Sequence, residues 1–435
     1  MLKLAKQPRL GLYVHWPFCR AKCPYCDFNS HVSKEIDNAA WQSAYLKELD
    51  WILDQYQAQT PLALSGRPKL QSIFFGGGTP SLMPPDLIGA ICDRAEHLFD
   101  FSDTIEITAE ANPTSVETDK LAGFWAAGIN RLSLGIQSLN KDHLSFLGRE
   151  HSADEALHAL QIAKRLFPKV SADMIYGMPD QTITSWMSDL HRLQSEGLAH
   201  LSAYQLTIEP GTVFYTRARN GETMRVNADH MADFYSATEQ AMADAGLNGY
   251  EISNYAKAGS ECQHNLLYWR AEDWLAIGPG AHARFNLQSG GRWQGATRRS
   301  PGGWLDQVGS QNHGFETIEI ETLQSHGEEI LMMGLRLAEG VSLSRLSKSS
   351  IRLDESWVDR FISEDWLTQK GGSLIATLEG RQRLDYILGQ ILDTDQIIDT
   401  DQIIDTGQNP DTGQNPDTGQ NLVRQKQAPK IQTSD

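Results

Sequence analysis

The sequence predicts an α/β fold, in which a partial barrel of six β/α units precedes a small, mainly helical domain and a disordered repeat tail. Three observations support this prediction. Apolar and β-branched runs alternate with amphipathic, helix-length segments over the first half of the chain, a pattern typical of parallel strands joined by right-handed crossovers. The chain has 435 residues, enough for more than one domain. Its last residues form a hexapeptide array.

The six β/α units follow one another in chain order. The predicted strands lie in the segments LGLYVHW, SIFFGGGTP, DTIEITAEANP, INRLSLGIQS, VSADMIYGMP and LSAYQLTIEPG. The predicted helices lie in DNAAWQSAYLKELDWILDQYQ, after the pair Pro84 and Pro85, and near residues 116–127, 152–167 and 182–196. Six units are too few to close an eight-fold barrel, so we expect an open one over residues 1–225.

The rest of the chain divides into three parts. Residues 226–314 are expected to extend the barrel, and residues 315–390 to form the helical domain with a short β-wing. From Ile391 the repeats ILDTDQ, IIDTDQ and IIDTGQ give way to NPDTGQ. A hexapeptide solenoid needs an apolar residue in every turn, which Asn-Pro removes. We therefore expect residues 391–435 to be disordered, with a short β-stack or a docking peptide as the alternatives.

Composition and charge exclude several classes of protein. The formal net charge is −17, which argues against nucleic-acid binding through phosphate neutralisation. No window has the roughly 18 consecutive apolar residues of a membrane span. The N-terminal segment lacks the apolar core and cleavage site of a secretory signal, so we expect a cytoplasmic protein. The five cysteines do not form the pattern of a disulfide framework.

Three of those cysteines lie within eight residues: Cys19, Cys23 and Cys26. Thiolates bind zinc or iron–sulfur clusters. A structural zinc site needs four ligands, and here His15 or His31 would have to supply the fourth. A cube-type cluster with three cysteinyl irons leaves one iron open for a substrate or cofactor. We therefore favour a 4Fe–4S cluster and keep zinc as the alternative.

Polar side chains follow the ends of four predicted strands, namely Glu110, Gln137, Asp173 and Gln205. Each one alone would be read as a capping or solvated residue. Because the carboxyl ends of parallel strands form the ligand sites of β/α folds, four such residues and a glycine-rich loop predict a common pocket.

The pattern C-x-x-x-C-x-aromatic-C, followed one β/α unit later by G-G-G-T-P, resembles the radical S-adenosylmethionine (SAM) superfamily. In that superfamily SAM chelates the open iron of the cluster and is cleaved by an electron from it. Glycines suit such a site because a backbone without Cβ can approach the ligand closely. The resemblance implies that SAM is contacted by Tyr13, Gly77, Gly78, Thr79, Glu110, Gln137, Arg149 and Asp173, with residues 277–283 at the adenine.

Further motifs, YVHWPFC, EANP, GIQS, LGREH and CQHNLLYW, resemble the oxygen-independent coproporphyrinogen III oxidase-like family over residues 8–385. The family contains oxidases and heme chaperones. The oxidases carry a fourth cysteine where this chain has Phe28, and a longer segment before the motif, which we expect to be missing here. The H-N-x-x-Y-W signature is that of the chaperones. The chaperone is therefore the leading hypothesis, the oxidase is the alternative, and it is left open whether the protein is an enzyme.

Membership of the chaperone branch implies a bound heme b. His264 and His282 are the candidate axial ligands, since a neutral imidazole binds iron. Cys262 is a weaker candidate, because the C-x-x-C-H attachment motif is missing. The branch also implies heme-accepting partner proteins, including membrane-bound respiratory enzymes, as well as a homodimer and transient membrane association.

Overall fold

The computed structural model describes residues 9–33, 35–60, 66–114 and 120–392. Its strands in chain order are β1 Leu10–Trp16, β2 Phe18–Cys19, β3 His31–Val32, β4 Lys69–Gly77, β5 Asp100–Ala111, β6 Arg131–Gln137, β7 Lys169–Tyr176, β8 His200–Gln205, β9 Asn248–Gly249, β10 Asn254–Ala256, β11 Asp273–Ile277, β12 His282–Asn286, β13 Arg292–Thr297, β14 Phe315–Glu321, β15 Val341–Ser342, β16 Leu367–Lys370 and β17 Ser373–Ala376.

Fifteen α-helices lie within the described ranges. They are α1 Asn38–Gln59, α2 Pro85–Leu98, α3 Leu121–Ala126, α4 Lys141–Phe146, α5 Ala153–Leu166, α6 Ile183–Ser195, α7 Val213–Arg219, α8 Ala228–Asp244, α9 Gln263–Trp269, α10 Pro301–Gln311, α11 Leu323–Gly334, α12 Leu343–Leu346, α13 Glu355–Ser363, α14 Leu378–Arg381 and α15 Leu384–Ile391. None of these helices is both long and apolar enough to cross a membrane.

Six parallel strands form the predicted β/α units, in the order β1-β4-β5-β6-β7-β8. The helices between them begin at side-chain caps where the sequence provides one. Asp37 accepts from two backbone amides at the start of α1, and Ser152 forms a capping box with Glu155 at the start of α5. The α/β fold class predicted from the sequence is therefore confirmed.

The sheet is larger than the six units. Strand β11 pairs in parallel with the free edge of β1, and β12, β13 and β14 continue antiparallel beyond it. On the other side β10 pairs antiparallel with β8, and β9 pairs antiparallel with β10. The sheet therefore has twelve strands.

The predicted domain boundary at 315 coincides with the start of β14, which belongs to this sheet, and the C-terminal helices begin at Leu323. The repeat tail lies outside the described residues, apart from its first two positions.

The strand register sorts side chains onto two faces. Gly11, Tyr13 and His15 of β1 lie on the same face as Ser72 and Phe74 of β4, and that face continues to Thr108 and Glu110 of β5. Many of these inward-facing residues are polar, whereas outward-facing residues such as Leu12 and Val14 join the hydrophobic core that packs against α1. The barrel interior is thus a polar compartment surrounded by an apolar layer.

Helix α9, which carries the HNLLYW motif, packs against β1, β4 and β11 at the amino-terminal end of the barrel strands. Every residue of this helix from His264 to Trp269 is buried. Its Leu266 and Trp269 pack in turn against Leu337 of the C-terminal domain. The motif therefore closes the base of the barrel and joins the barrel to the C-terminal domain.

A buried ion-pair network also attaches the C-terminal domain to the sheet. Glu329 of α11 accepts from Arg284 of β12 at 2.5 Å and from Arg292 of β13, and His326 lies 3.2 Å from the same carboxylate. Burial alone would raise the pKa of Glu329, but the two guanidinium groups outweigh it and hold this pKa well below its ordinary range. The carboxylate is therefore ionised throughout the neutral range.

We expect Glu329→Gln to lower the free energy of unfolding by about 3 kcal/mol at neutral pH, because it leaves two buried arginines without their counter-charge. The folded pKa is lower than the unfolded one, so the contribution is present above the unfolded pKa and is lost as the pH falls through the folded pKa. Urea unfolding at neutral and strongly acid pH measures both effects.

The matched control is Glu339→Gln, which breaks the ion pair between Arg270 and the exposed Glu339 side chain and should change the stability by about 0.5 kcal/mol. Equal effects of the two substitutions would show that the buried network does not stabilise the attachment of the domain.

Candidate cofactor site

A cavity opens at the carboxyl ends of β4 to β8. It brings together nearly all the residues that the sequence predicts for the cluster and for SAM. Those that line it are Cys19, Cys23, Cys26, Gly77, Gly78, Thr79, Glu110, Gln137, Arg149 and Asp173. The parallel register explains their proximity, since Glu110 pairs with Ser133 and Gly135 pairs with Asp173 on adjacent strands. Side chains separated by tens of residues in sequence thus face one space.

The three cysteines are half-buried and form no disulfide. The hydroxyl of Thr79 donates to Sγ of Cys19 at 3.3 Å, and a guanidinium nitrogen of Arg149 lies 3.5 Å from Sγ of Cys23. Burial raises the pKa of Cys19 and raises that of Cys26 to about 12. The site therefore disfavours bare thiolates at Cys19 and Cys26 and suits a cationic group that would neutralise them.

The donor geometry distinguishes a cluster from a single metal ion. Across the described ranges, no three side chains of the His, Cys, Asp or Glu types come close enough to share one ion. His15, considered as a zinc ligand, has both ring nitrogens hydrogen-bonded, and Nε2 of His31 lies 3.2 Å from Asn29 Oδ1. A cluster places each thiolate on a different iron, so the three spaced cysteines fit a cluster better than zinc.

The glycine loop (residues 76–79) passes very close to the segment that leads into the cysteines. The amide of Gly78 donates to the carbonyl of Trp16 at 2.7 Å, and that of Thr79 donates to the carbonyl of Phe18 at 3.0 Å. A Cβ on Gly78 would lie 2.9 Å from the carbonyl oxygen of Phe18. Gly77 has a φ of 110°, which only glycine adopts easily. The loop thus needs glycine to lie against the cysteine segment and present its backbone to the cavity.

Arg149 links the cysteine segment to the ends of β5 and β6. Its guanidinium donates to the side-chain oxygen of Asn112 and to the carbonyl of Gly135 at 3.0 Å, and it also reaches Cys23. A planar guanidinium has five donors in a fixed fork and can contact three acceptors at once. Arg149 therefore orients the cysteine segment relative to the ends of β5 and β6.

Asp173 accepts from the hydroxyl of Ser133 at 3.0 and 2.8 Å, and from Ser171 at 3.4 Å. Burial raises the pKa of Asp173, while the hydroxyls of Ser133 and Ser202 act in the opposite direction. Gln137 has a left-handed backbone, with a φ of 66°. Its buried Oε1 has no hydrogen-bond partner among the described residues. An unpaired buried acceptor is costly, and a ligand hydroxyl or ammonium in the cavity would satisfy it.

Four individually predicted site residues and the predicted adenine segment 277–283 lie outside the cavity lining. Tyr13 is buried below it, where its ring stacks on Phe74 and His264. Gln205 lies at the end of β8, but its neighbours Tyr204 and Leu206 line the cavity instead.

The two histidines proposed as heme ligands also lie outside the lining. His264 is fully buried, with Nδ1 2.8 Å from Ser72 Oγ and Nε2 3.2 Å from the hydroxyl of Tyr268. Burial lowers the pKa of His264 to about 3. His282 is half-buried, and no described residue forms a hydrogen bond with its ring. Of the two, only His282 has a ring nitrogen available.

Among the lining residues that were not sequence candidates, Asn112 and Ser133 contact predicted ones. Asn112 belongs to the EANP motif and orients Arg149. Ser133 is the third residue of β6 and reaches Asp173 because it lies on the inward-facing side. Inward alternation along β6 was the signal that could have identified Ser133, since Gln137 lies on the same side of the strand.

Comparisons with known proteins show the fold and the family of the chain. Residues 13–193 match the model of the radical SAM superfamily, and residues 322–383 match the HemN C-terminal domain. The structure of coproporphyrinogen III oxidase (HemN) from Escherichia coli, a radical SAM enzyme, superposes with a TM-score of 0.71 at 20% identity, covering 89% of this chain and 91% of that one. Fold and donor set together thus define a radical SAM protein.

Sequence relatives identify the family. The heme chaperone HemW of Haemophilus influenzae is 36% identical, over 88% of this chain and 98% of its own length. The heme chaperone HemW of Escherichia coli is 37% identical, over 83% and 93%. Radical S-adenosyl methionine domain-containing protein 1 of Bos taurus, a mitochondrial protein, is 39% identical, over 77% and 74%. The chain belongs to the HemW family of heme chaperones.

The glycine loop provides a test of the close approach. We expect Gly78→Ala to lower the free energy of unfolding by about 2 kcal/mol, because its Cβ would meet backbone atoms of Phe18 that cannot rotate away. Urea unfolding of the full chain measures the change.

Gly89→Ala in the middle of α2 is the control, since the nearest atom to a Cβ there is 3.8 Å away. It should stabilise the protein by about 0.5 kcal/mol through helix propensity. A Gly78→Ala variant as stable as the wild type would contradict the packing described for the loop.

Proposed function

We propose that the protein is a heme chaperone, which binds a 4Fe–4S cluster through Cys19, Cys23 and Cys26, binds SAM beside the cluster, and carries heme to acceptor hemoproteins. The observation that carries the proposal is the cavity, which unites the three cysteines with the glycine loop and the strand-end polar residues in a chain of the HemW family. Membrane-bound respiratory enzymes are the proposed acceptors, with transient membrane association during transfer and a homodimer as the working state.

Each residue of the site has a proposed task. The three thiolates would hold the cluster, which, when bound, supplies one-electron reduction. The backbone of Gly77 and Gly78 and the hydroxyl of Thr79 would bind the charged ends of the amino-acid part of SAM. Glu110, Asp173 and the unpaired oxygen of Gln137 would accept hydrogen bonds from its ammonium or hydroxyl groups, while Arg149 offers a fork for a carboxylate.

The alternative is the oxidative decarboxylation of coproporphyrinogen III. It draws support from the HemN-like fold, but a likeness at 20% identity shows the fold alone. In this chain Phe28 stands where the oxidases have their fourth cysteine, and both Phe28 and Cys26 belong to the cavity lining. An apolar ring at that point favours the chaperone over the oxidase.

The two functions are separated by one pair of assays on anaerobically purified protein with a reconstituted cluster. We expect hemin to bind stoichiometrically in an absorbance titration, and coproporphyrinogen III with SAM and reductant to yield no protoporphyrinogen. Turnover of coproporphyrinogen would establish the oxidase, and failure to bind hemin would overturn the chaperone.

Cys23→Ser should lose the cluster because only two thiolates remain, while Cys92→Ser, which alters a buried thiol of α2, should keep it.

The heme ligand can be tested by matched substitutions. We expect His282→Ala to weaken hemin binding about tenfold, because His282 is neutral, half-buried and without a hydrogen-bond partner among the described residues. Burial lowers its pKa to about 4, which keeps the imidazole in the ligating form. His264→Gln should lower stability rather than hemin affinity. The opposite result would mean that His264 leaves the core when heme binds.

A further inference from the structure

We infer that His15 and Asn29 form a joint that fixes three loops of the cofactor site relative to one another. The loops are the cysteine loop (residues 19–28), the glycine loop and the turn 278–281 between β11 and β12. Neither His15 nor Asn29 lines the cavity, so both are positioning residues. The inference rests on the proposed function, since it takes the cysteine loop to hold the cluster.

Asn29 ends the cysteine loop and is buried, with 6% of its surface exposed. Its side-chain amide donates to the carbonyl of Pro279 at 2.8 Å and to that of Arg299 at 2.9 Å. Its Oδ1 accepts from Nε2 of His31 at 3.2 Å. One side chain therefore ties the end of the cysteine loop to the turn 278–281, some 250 residues away, and to the start of the segment after β13.

His15 holds the backbone of the same residue. Its Nε2 lies 2.9 Å from the carbonyl oxygen of Asn29, and its Nδ1 lies 3.0 Å from the hydroxyl of Tyr13. A carbonyl oxygen only accepts, so Nε2 carries the proton and Nδ1 accepts from Tyr13. Burial lowers the pKa of His15 to about 4, so the ring is neutral and has this single tautomer. The hydroxyl of Tyr13 thereby orients His15.

The other two loops leave room for the joint by means of glycines. A Cβ on Gly77 would lie 2.6 Å from the ring of His15. A Cβ on Gly278 would overlap the carbonyl oxygen of His15, and one on Gly280 would overlap the amide of Asn29. All three glycines have positive φ angles, of 110°, 100° and 78°. The glycine loop and the turn 278–281 are thus each shaped around the joint.

Because the three loops share one point of contact, a change there should displace the cysteines from the glycine loop without touching the cavity. The same geometry gives Tyr13 a positioning role, since it acts on the site through His15. The resemblance implied that Tyr13 contacts SAM, yet the structure places its hydroxyl on His15, outside the cavity lining.

The test is the rate at which the reconstituted holoprotein loses its cluster to an excess of iron chelator, followed by the cluster absorbance. We expect Asn29→Ala to lose the cluster about tenfold faster than the wild type, since its hydrogen bonds to the carbonyls of Pro279 and Arg299 are gone. Asn130→Ala is the matched control. Its side chain also bridges two backbone groups, those of Ile105 and Ile107 at 2.9 Å each, but it lies at the start of β6, at the opposite end of the strands. It should lower the unfolding temperature and leave the rate of cluster loss unchanged.

Tyr13→Phe keeps the ring packing, and it separates the two roles if Asn29→Ala fails to fold. A positioning role predicts cluster loss about threefold faster in the absence of SAM. A direct SAM contact predicts weaker SAM binding with unchanged cluster loss. Wild-type rates in both Asn29→Ala and Tyr13→Phe would overturn the joint and leave the proposed function intact. A wild type that holds no cluster would instead overturn the proposed function.

Discussion

The candidate site depends on the register of the parallel strands. In such a sheet, residues of neighbouring strands face one another in a fixed pairing, and all carboxyl ends meet at one edge. Pairing of Glu110 with Ser133 and of Gly135 with Asp173 brings the acidic side chains to one wall of the cavity. A slip of one residue in β6 or β7 would turn these side chains towards the outer helices. The apolar outward faces, buried under those helices, prevent such a slip, so the packing of the core determines the geometry of the site.

The sequence predicted the local features of this fold well. The six strands, their helices and ten of the lining residues follow from period, spacing and motif, because each depends on a short stretch of chain. Pairings between distant segments could not be predicted from the sequence. The segment DWLAI contains no signal that β11 pairs with β1. The ion pairs of Glu329 with arginines of β12 and β13 likewise join residues that are far apart in sequence. The orientation of Tyr13 and the burial of His264 also depend on residues far away in sequence, so their positions could not be inferred from their motifs.

Electrostatics explains why the barrel interior tolerates so many polar groups. Buried polar atoms are stable when they are paired, and here hydroxyls and imidazoles on neighbouring elements pair with each other. Ser171 lies 2.7 Å from Nδ1 of His200, and Ser72 lies 2.8 Å from Nδ1 of His264. Burial lowers the pKa of both histidines far enough to keep them neutral. The interior is therefore polar with few charges, and the buried carboxylate of Glu106 forms an ion pair with Lys169.

Helix α9 seals the base of the barrel, and the C-terminal domain covers α9 from below. Within the part of the chain that the structure describes, the cavity consequently communicates with solvent at the carboxyl end of the strands. An opening at one end of the cavity imposes an order on the binding and release of ligands. A ligand in the deepest position must bind first and leave last, because any ligand bound later blocks its path to solvent. The cysteine loop and the glycine loop lie at this same end of the strands, so a ligand that passes through the opening passes beside them.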